Sequence, residues 1–137
     1  IEHFDHVGVE EALRDAHADI GFTYIPTANE FETWEILRDE YVALLPPSPR
    51  LMGNHLTWEQ LASYPLIFPS ATDACYVRVH NHLLASGFPL PLKIAYEVNE
   101  DSTIVSMVMQ GLGAAILPRL AAEPVPPGVQ MYSLPVR

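Results

Sequence analysis

Two short polar runs carry the side chains best placed for chemistry: Ser70-Ala71-Thr72-Asp73 and Asp101-Ser102-Thr103. Each precedes an apolar run with helical spacing, so its hydroxyl and carboxylate oxygens fall at a helix start. The first turn of a helix carries unpaired N–H groups and the positive end of the helix dipole, which together attract carboxylate or phosphate groups. Two such starts converging on one ligand would hold a small oxygen-bearing molecule, with Ser70, Thr72, Ser102 and Thr103 donating from their hydroxyls. Taken singly, each of these residues is better explained as a cap on its own helix. Asp73 and Asp101 would repel an anion unless they serve as caps, and otherwise favour a cationic or neutral ligand.

Other constellations fail on geometry. Gly111-Leu112-Gly113 invites a nucleotide reading, but a dinucleotide loop runs from strand to glycines to helix. Here the order is helix, glycines, strand, and Ile116 stands where the third glycine belongs. The pair therefore reads as a helix exit. His80 and His82, two apart on a helix, point about 200° apart. Cys75 and His82 share a face but lie two turns apart, and His3 and Asp5 have no third ligand nearby. No metal and no other cofactor is expected. The chain has no G-x-S-x-G or H-E-x-x-H motif, and Cys75 falls inside a helix with no basic neighbour before Arg78. Binding without turnover is the expectation, and no catalytic residue is assigned.

Composition narrows the class. Seven basic residues against seventeen acidic ones give a formal charge of −10, and Lys93 is the single lysine. Binding to a nucleic-acid backbone needs a basic face that releases counterions, which this segment lacks. One cysteine excludes an internal disulfide and a cysteine-only metal site, in keeping with a reducing cytoplasm. No apolar run approaches the roughly 20 residues of a membrane span. Ile1-Glu2-His3 has neither the basic lead nor the apolar segment of a secretory signal. The 137 residues suffice for one domain or two small lobes, and without an initial methionine the chain is expected to be a fragment or a processed piece.

The elements that must position these groups follow from periodicity. IEHFDH reads as a strand, then a helix over residues 9–19 with Val9, Leu13 and Ala16 on one face, then a strand from Asp19 to Ile25 ended by Pro26. Trp34, Ile36 and Leu37 lead into YVALL, a strand of the kind buried on both faces, closed by Pro46, Pro47 and Pro49. Thr57-Trp58-Glu59-Gln60 matches a capping box, PLIFP is a buried strand, and Ser70–Asp73 reads as a second capping box opening a helix from Ala74 to Ser86, stopped by Gly87. Residues 92–98 alternate as a half-buried strand. Ser102 and Thr103 cap the next helix, Ala114–Leu117 form a strand closed by Pro118, and Val129, Met131 and Ser133 end the chain in another. Tyr76, Val79 and Leu83 read as core, and Trp34 and Trp58 as covers over lobe edges. Alternating strands and helices predict α/β architecture with mostly parallel strands. The proline-marked joints near residues 46–49 and 118–127 divide it into a discontinuous lobe, 1–45 plus 119–137, and an inserted lobe, 46–118.

The DIGF segment, the YVALLP joint, LTWEQLASYPLIFPS and MVMQGLGAAILP occur in the order seen in LysR-type transcriptional regulators. The chain resembles the effector-binding regulatory domain of that family along nearly its whole length. The resemblance implies two Rossmann-like lobes joined by crossover strands, similar to periplasmic binding proteins, with a small-molecule cleft between them. It further implies that Ser70, Thr72 and Thr103 line the cleft; Ser102, from its helix start, and Thr23 and Ile25, at a strand end facing the expected cleft, are the further candidates. The implied partners are a small-molecule effector, such as a carboxylate, and further copies of the chain in a homodimer or homotetramer. DNA would be reached only through an N-terminal winged helix-turn-helix outside this sequence, and no membrane is involved. By the same resemblance, the first strand and helix of the regulatory domain, and its final strand and helix, lie outside this sequence. The expected location is the cytoplasm. The alternatives are a periplasmic-type solute-binding protein of a transport system and, behind it, a small α/β enzyme.

Overall fold

The structure, a computed structural model, describes residues 6–23, 30–47, 56–71, 73–89, 92–134 and 136. Its elements run α1 (His6–Arg14), β1 (Tyr41–Leu45), α2 (Trp58–Ala62), β2 (Leu66–Phe68), α3 (Ala74–Ala85), β3 (Ile94–Glu97), α4 (Asp101–Met109), β4 (Ala114–Pro118), α5 (Arg119–Ala122) and β5 (Gln130–Ser133). The chain packs as two compact units, Ile1–Arg38 and Asp39–Arg137.

The second unit is built on one five-stranded sheet in the order β3-β2-β4-β1-β5. Strand β2 pairs in parallel with β3 and β4, whereas β1 pairs antiparallel with β4 and β5. Four strands therefore run one way and β1 runs against them, as the mostly parallel expectation requires. Successive strand residues face opposite sides of a sheet. Tyr41, Ala43, Leu45, Leu66, Phe68, Ala114 and Ile116 pack with Leu61 of α2 and Cys75, Val79 and Leu83 of α3. Their neighbours Val42, Leu44, Ile67, Ala115 and Leu117 pack with Ile104 and Val108 of α4 and Ala122 of α5. The helical partners recur at four-residue intervals, which is what puts them on one stripe. Both faces of the three central strands are thus dry: every residue of β1, β2 and β4 is buried, whereas the edge strand β3 is mostly exposed.

Local punctuation follows the sequence in several places. Thr57 caps α2 as a true capping box: its hydroxyl accepts from Gln60 N at 3.1 Å, and Gln60 Oε1 accepts from Thr57 N at 2.9 Å. Gly111 exits α4 at φ +81°, a conformation that costs a residue with a Cβ about 1–2 kcal/mol. Gly113 answers to space: a Cβ there would overlap the Pro65 carbonyl oxygen and stand 3.1 Å from its carbon. That same oxygen accepts from Ala114 N at 2.9 Å, so the close approach starts β4.

In the first unit, α1 ends at Arg14, and Ala16 takes a left-handed φ of 59° instead of extending the apolar face. Val9 and Leu13 are half-buried against the backbone of Gly21. The strand expected from Asp19 is absent over the described residues 19–23, which have no ladder partner there. Phe22 is accordingly 78% exposed, and Trp34, expected to cover a lobe edge, is 77% exposed. The strand expected at IEHFDH falls almost wholly outside the described residues.

The division into units departs from the expected lobes of 1–45 plus 119–137 and 46–118. Strand β1 and the segment from Arg119 to Ser133 belong with the second unit, because β1 pairs with both β4 and β5.

Candidate functional site

Because β2, β3 and β4 run in parallel, the residues following Phe68, Glu97 and Pro118 gather at one end of the sheet. Tyr41, the start of antiparallel β1, is registered with Pro118 at that same end. In open α/β sheets, ligands settle outside the carboxyl ends of the strands. Helices α3 and α4 both begin here.

The turns at this edge are tied to each other. Val98 N donates to Phe68 O at 2.9 Å, continuing the β2–β3 ladder past the strand ends. Beyond it, two residues past Phe68 and one past Val98, Ser70 N donates to Asn99 Oδ1 at 2.9 Å. Asp73 N then donates to Ser70 O at 2.9 Å, closing the turn before α3.

The two helix starts differ from the expected caps. Asp73 alone caps α3, its carboxylate accepting from Cys75 N at 2.8 Å, and Ser70 stands outside the cap. Helix α4 begins two residues before Thr103. Its N-cap is Glu100, in extended backbone at φ −118° and ψ 119°, and makes no side-chain cap bond. Ser102 instead donates its hydroxyl to Glu100 Oε1 at 2.8 Å. The backbone, not the hydroxyls, decides the cap: the last extended residue takes the position, and it falls on Glu100. Thr103 is exposed in the first turn. Ser70, Ser102 and Thr103 are therefore brought to one end of the sheet, while Thr23, exposed, belongs to the first unit. Thr72 and Ile25 lie outside the described residues.

Behind this edge the chemistry is quiet. Cys75 is buried, and its Sγ donates to Ile116 O at 3.6 Å. Burial pushes the thiol well up, reinforced by the Asp73 and Asp101 carboxylates. Tyr41 is pushed up to about 12, first by burial, then by Cys75, with Arg78 opposing and Asp73 and Asp39 adding. Both groups are neutral walls at ordinary pH. Among the described residues no three His, Cys, Asp or Glu side chains are placed to hold a metal ion. Among the described residues, too, no helix is long and apolar enough to cross a membrane.

Arg119 organises the neighbouring corner. Its N–H donates to Glu40 O at 2.8 Å, and its guanidinium reaches the Glu40 and Glu123 carboxylates and Ser133 Oγ. Asp39 accepts from Glu40 N at 2.8 Å and from Leu120 N at 2.9 Å. Neither this cluster nor Asn99 was legible from spacing, since each joins residues far apart in sequence. The one available signal for Asn99 was its place in the polar Asn99-Glu100-Asp101 run between a strand and a helix.

Comparison with known proteins gives a consistent relationship. The family model described as the LysR substrate binding domain matches residues 1–137. The probable HTH-type transcriptional regulator LrrA of Synechococcus elongatus is 53% identical over 132 residues, covering 96% of this chain and 44% of that protein. The chain thus spans less than half the length of this curated relative. Among solved structures, the effector binding domain of QuiR in complex with shikimate superposes with a TM-score of 0.80 at 19% identity, over 96% of this chain and 62% of that one. The cofactor-binding domain of the Cbl transcriptional regulator gives 0.76 at 20% identity, over 93% and 57%. At these identities the structural likeness speaks to the fold.

Proposed function

The chain belongs to the LysR substrate-binding domain family, and from that premise we propose that it is the effector-sensing part of a LysR-type transcriptional regulator. A small metabolite binds at the carboxyl edge of the sheet. The observation that carries the site is the convergence there of the α3 and α4 starts, locked together by the Ser70–Asn99 hydrogen bond. The relatives named as transcriptional regulators favour this reading over a transport solute-binding protein. The formal charge of −10 supports a division of labour in which DNA is held by a separate winged helix-turn-helix.

Both helix starts already carry carboxylates, Asp73 on α3 and Glu100 with Asp101 on α4. A multiply charged anion is therefore disfavoured, and the reading selects a small oxygen-bearing effector of low charge: a monocarboxylate, an amino acid or a neutral polyol. Thr103 and Ser70 contact it, with Ser102 and Thr72 as further contacts. Binding shifts the population of domain conformations in proportion to its differential affinity for them, and copies of the chain in a dimer or tetramer pass that shift to DNA in the cytoplasm. No chemical step is assigned to the domain.

Calorimetry and thermal-shift screening of the chain against small carboxylates (shikimate included), amino acids and aromatic acids test this directly. A binding member raises the melting temperature as its concentration passes Kd. Thr103→Val and Ser70→Ala then weaken binding. A ligand whose affinity neither substitution changes would place the site elsewhere.

A further inference from the structure

We propose that Asn99 is a specificity-determining contact of the effector site, its side-chain NH2 donating to an acceptor-only oxygen, carboxylate or carbonyl, of the bound molecule. The inference rests on the effector reading above and names a residue and a ligand group that the reading leaves open.

The argument begins with the two ends of one amide. Ser70 N is a donor, so the atom of Asn99 that meets it at 2.9 Å must be the oxygen. That bond fixes the amide the right way round and turns its NH2 away from Ser70. Among the described residues the NH2 makes no hydrogen bond, and Asn99 is exposed at the carboxyl edge of the sheet. The side chain is thus held at one end by the turn that follows β2 and offers two N–H donors at the other.

The surroundings make that donor distinctive. The charged residues at the two helix starts of this edge, Asp73 on α3 and Glu100 and Asp101 directly after Asn99 in the chain, carry acceptor oxygens alone. The Ser102 hydroxyl is turned onto Glu100. An effector oxygen that can only accept finds repulsion from these carboxylates and a pre-oriented donor in Asn99. A donor already held in place loses less entropy on binding, so its contribution is larger than that of a free surface amide.

Asn99→Asp separates the two jobs of the residue. It keeps the acceptor that holds Ser70 and removes the donor, while Asn99→Ala removes both. The measurements are calorimetry with shikimate and each member of the screened panel that binds, at low and high salt, and amide hydrogen exchange at Ser70. The expected result is that Asn99→Asp leaves the Ser70 amide protected yet weakens binding about tenfold, and that this loss persists at high salt. Asn99→Ala weakens binding at least as much and exposes the Ser70 amide to exchange. Thr57→Ala, on α2 and away from this edge, lowers stability and leaves affinity unchanged. An Asn99→Asp chain that binds as the parent does overturns the proposal. So does a deficit that vanishes at high salt, because that is mere charge repulsion. If no member of the panel binds the unsubstituted chain, the effector reading itself falls, and the inference with it.

Discussion

Arg119 holds Glu40 by backbone and side chain at once: its N–H donates to the Glu40 carbonyl oxygen at 2.8 Å, and its Nε donates to the Glu40 carboxylate at 2.6 Å. The residues are 79 apart in sequence, at the entry to β1 and the exit from β4. The backbone bond extends the antiparallel ladder by one step. The ion pair then closes its open end, with Ser133 of β5 joining from the other side of β1.

Removing that closure has a measurable cost. Arg119 is one-third exposed, so the pair is screened, and Arg119→Ala should lower the urea midpoint of unfolding only slightly. The difference should shrink as salt rises. Arg119→Lys should recover part of it, since an ammonium cannot reproduce a guanidinium fork onto Glu40, Glu123 and Ser133 together.

The glycines at the α4 exit should separate by mechanism. Gly113→Ala drives a Cβ into the Pro65 carbonyl and must shift either β2 or β4, a cost of about 1–3 kcal/mol. Gly111→Ala meets open space and pays only for its positive φ, about 1–2 kcal/mol. Thermal denaturation of both variants should rank Gly113→Ala as the more damaging.

Alkaline pH should destabilise the fold. Tyr41 is held at about 12 against an ordinary 10.0, and the Cys75 thiol is also raised, so the folded state keeps protons that the unfolded chain releases. Their contribution is complete below the unfolded values and is lost as pH rises through about 9 and onward toward the folded ones. Melting temperature should therefore fall with pH in that range, and less steeply in Tyr41→Phe. Native Cys75 should resist iodoacetamide at pH 8 and react quickly once urea unfolds the chain.

The two capped helices should respond differently to cap removal. Thr57→Ala breaks one half of a reciprocal pair and should cost about 1 kcal/mol. Asp73→Asn keeps an acceptor for Cys75 N and should cost less, while removing a negative charge from the edge beside α3. If the effector is a carboxylate, Asp73→Asn should bind it more tightly by calorimetry, and a weaker affinity would count against an anionic ligand.

Continuous apolar runs, helical spacing and proline or glycine punctuation were all readable in the sequence. Each is a local property of neighbouring residues. They located β1, β2 and β4, the Thr57 capping box, the Gly87 stop and the glycine exit from α4, and the order of motifs pointed to the family. What they could not locate was set by partners far along the chain. Asp19–Phe22 has a strand's composition, yet strand structure needs a neighbouring ladder, and residues 19–23 have none among the described residues. Ser102 and Thr103 have the chemistry of caps, yet the turn from extended to helical backbone falls at Glu100. The orientation of the Asn99 amide exists only because β2 and β3 lie side by side and bring Ser70 to it. Residue chemistry thus determined which groups were available. The tertiary structure alone decided which of them face one another, because hydrogen bonds act over about 3 Å in space whatever the separation in sequence.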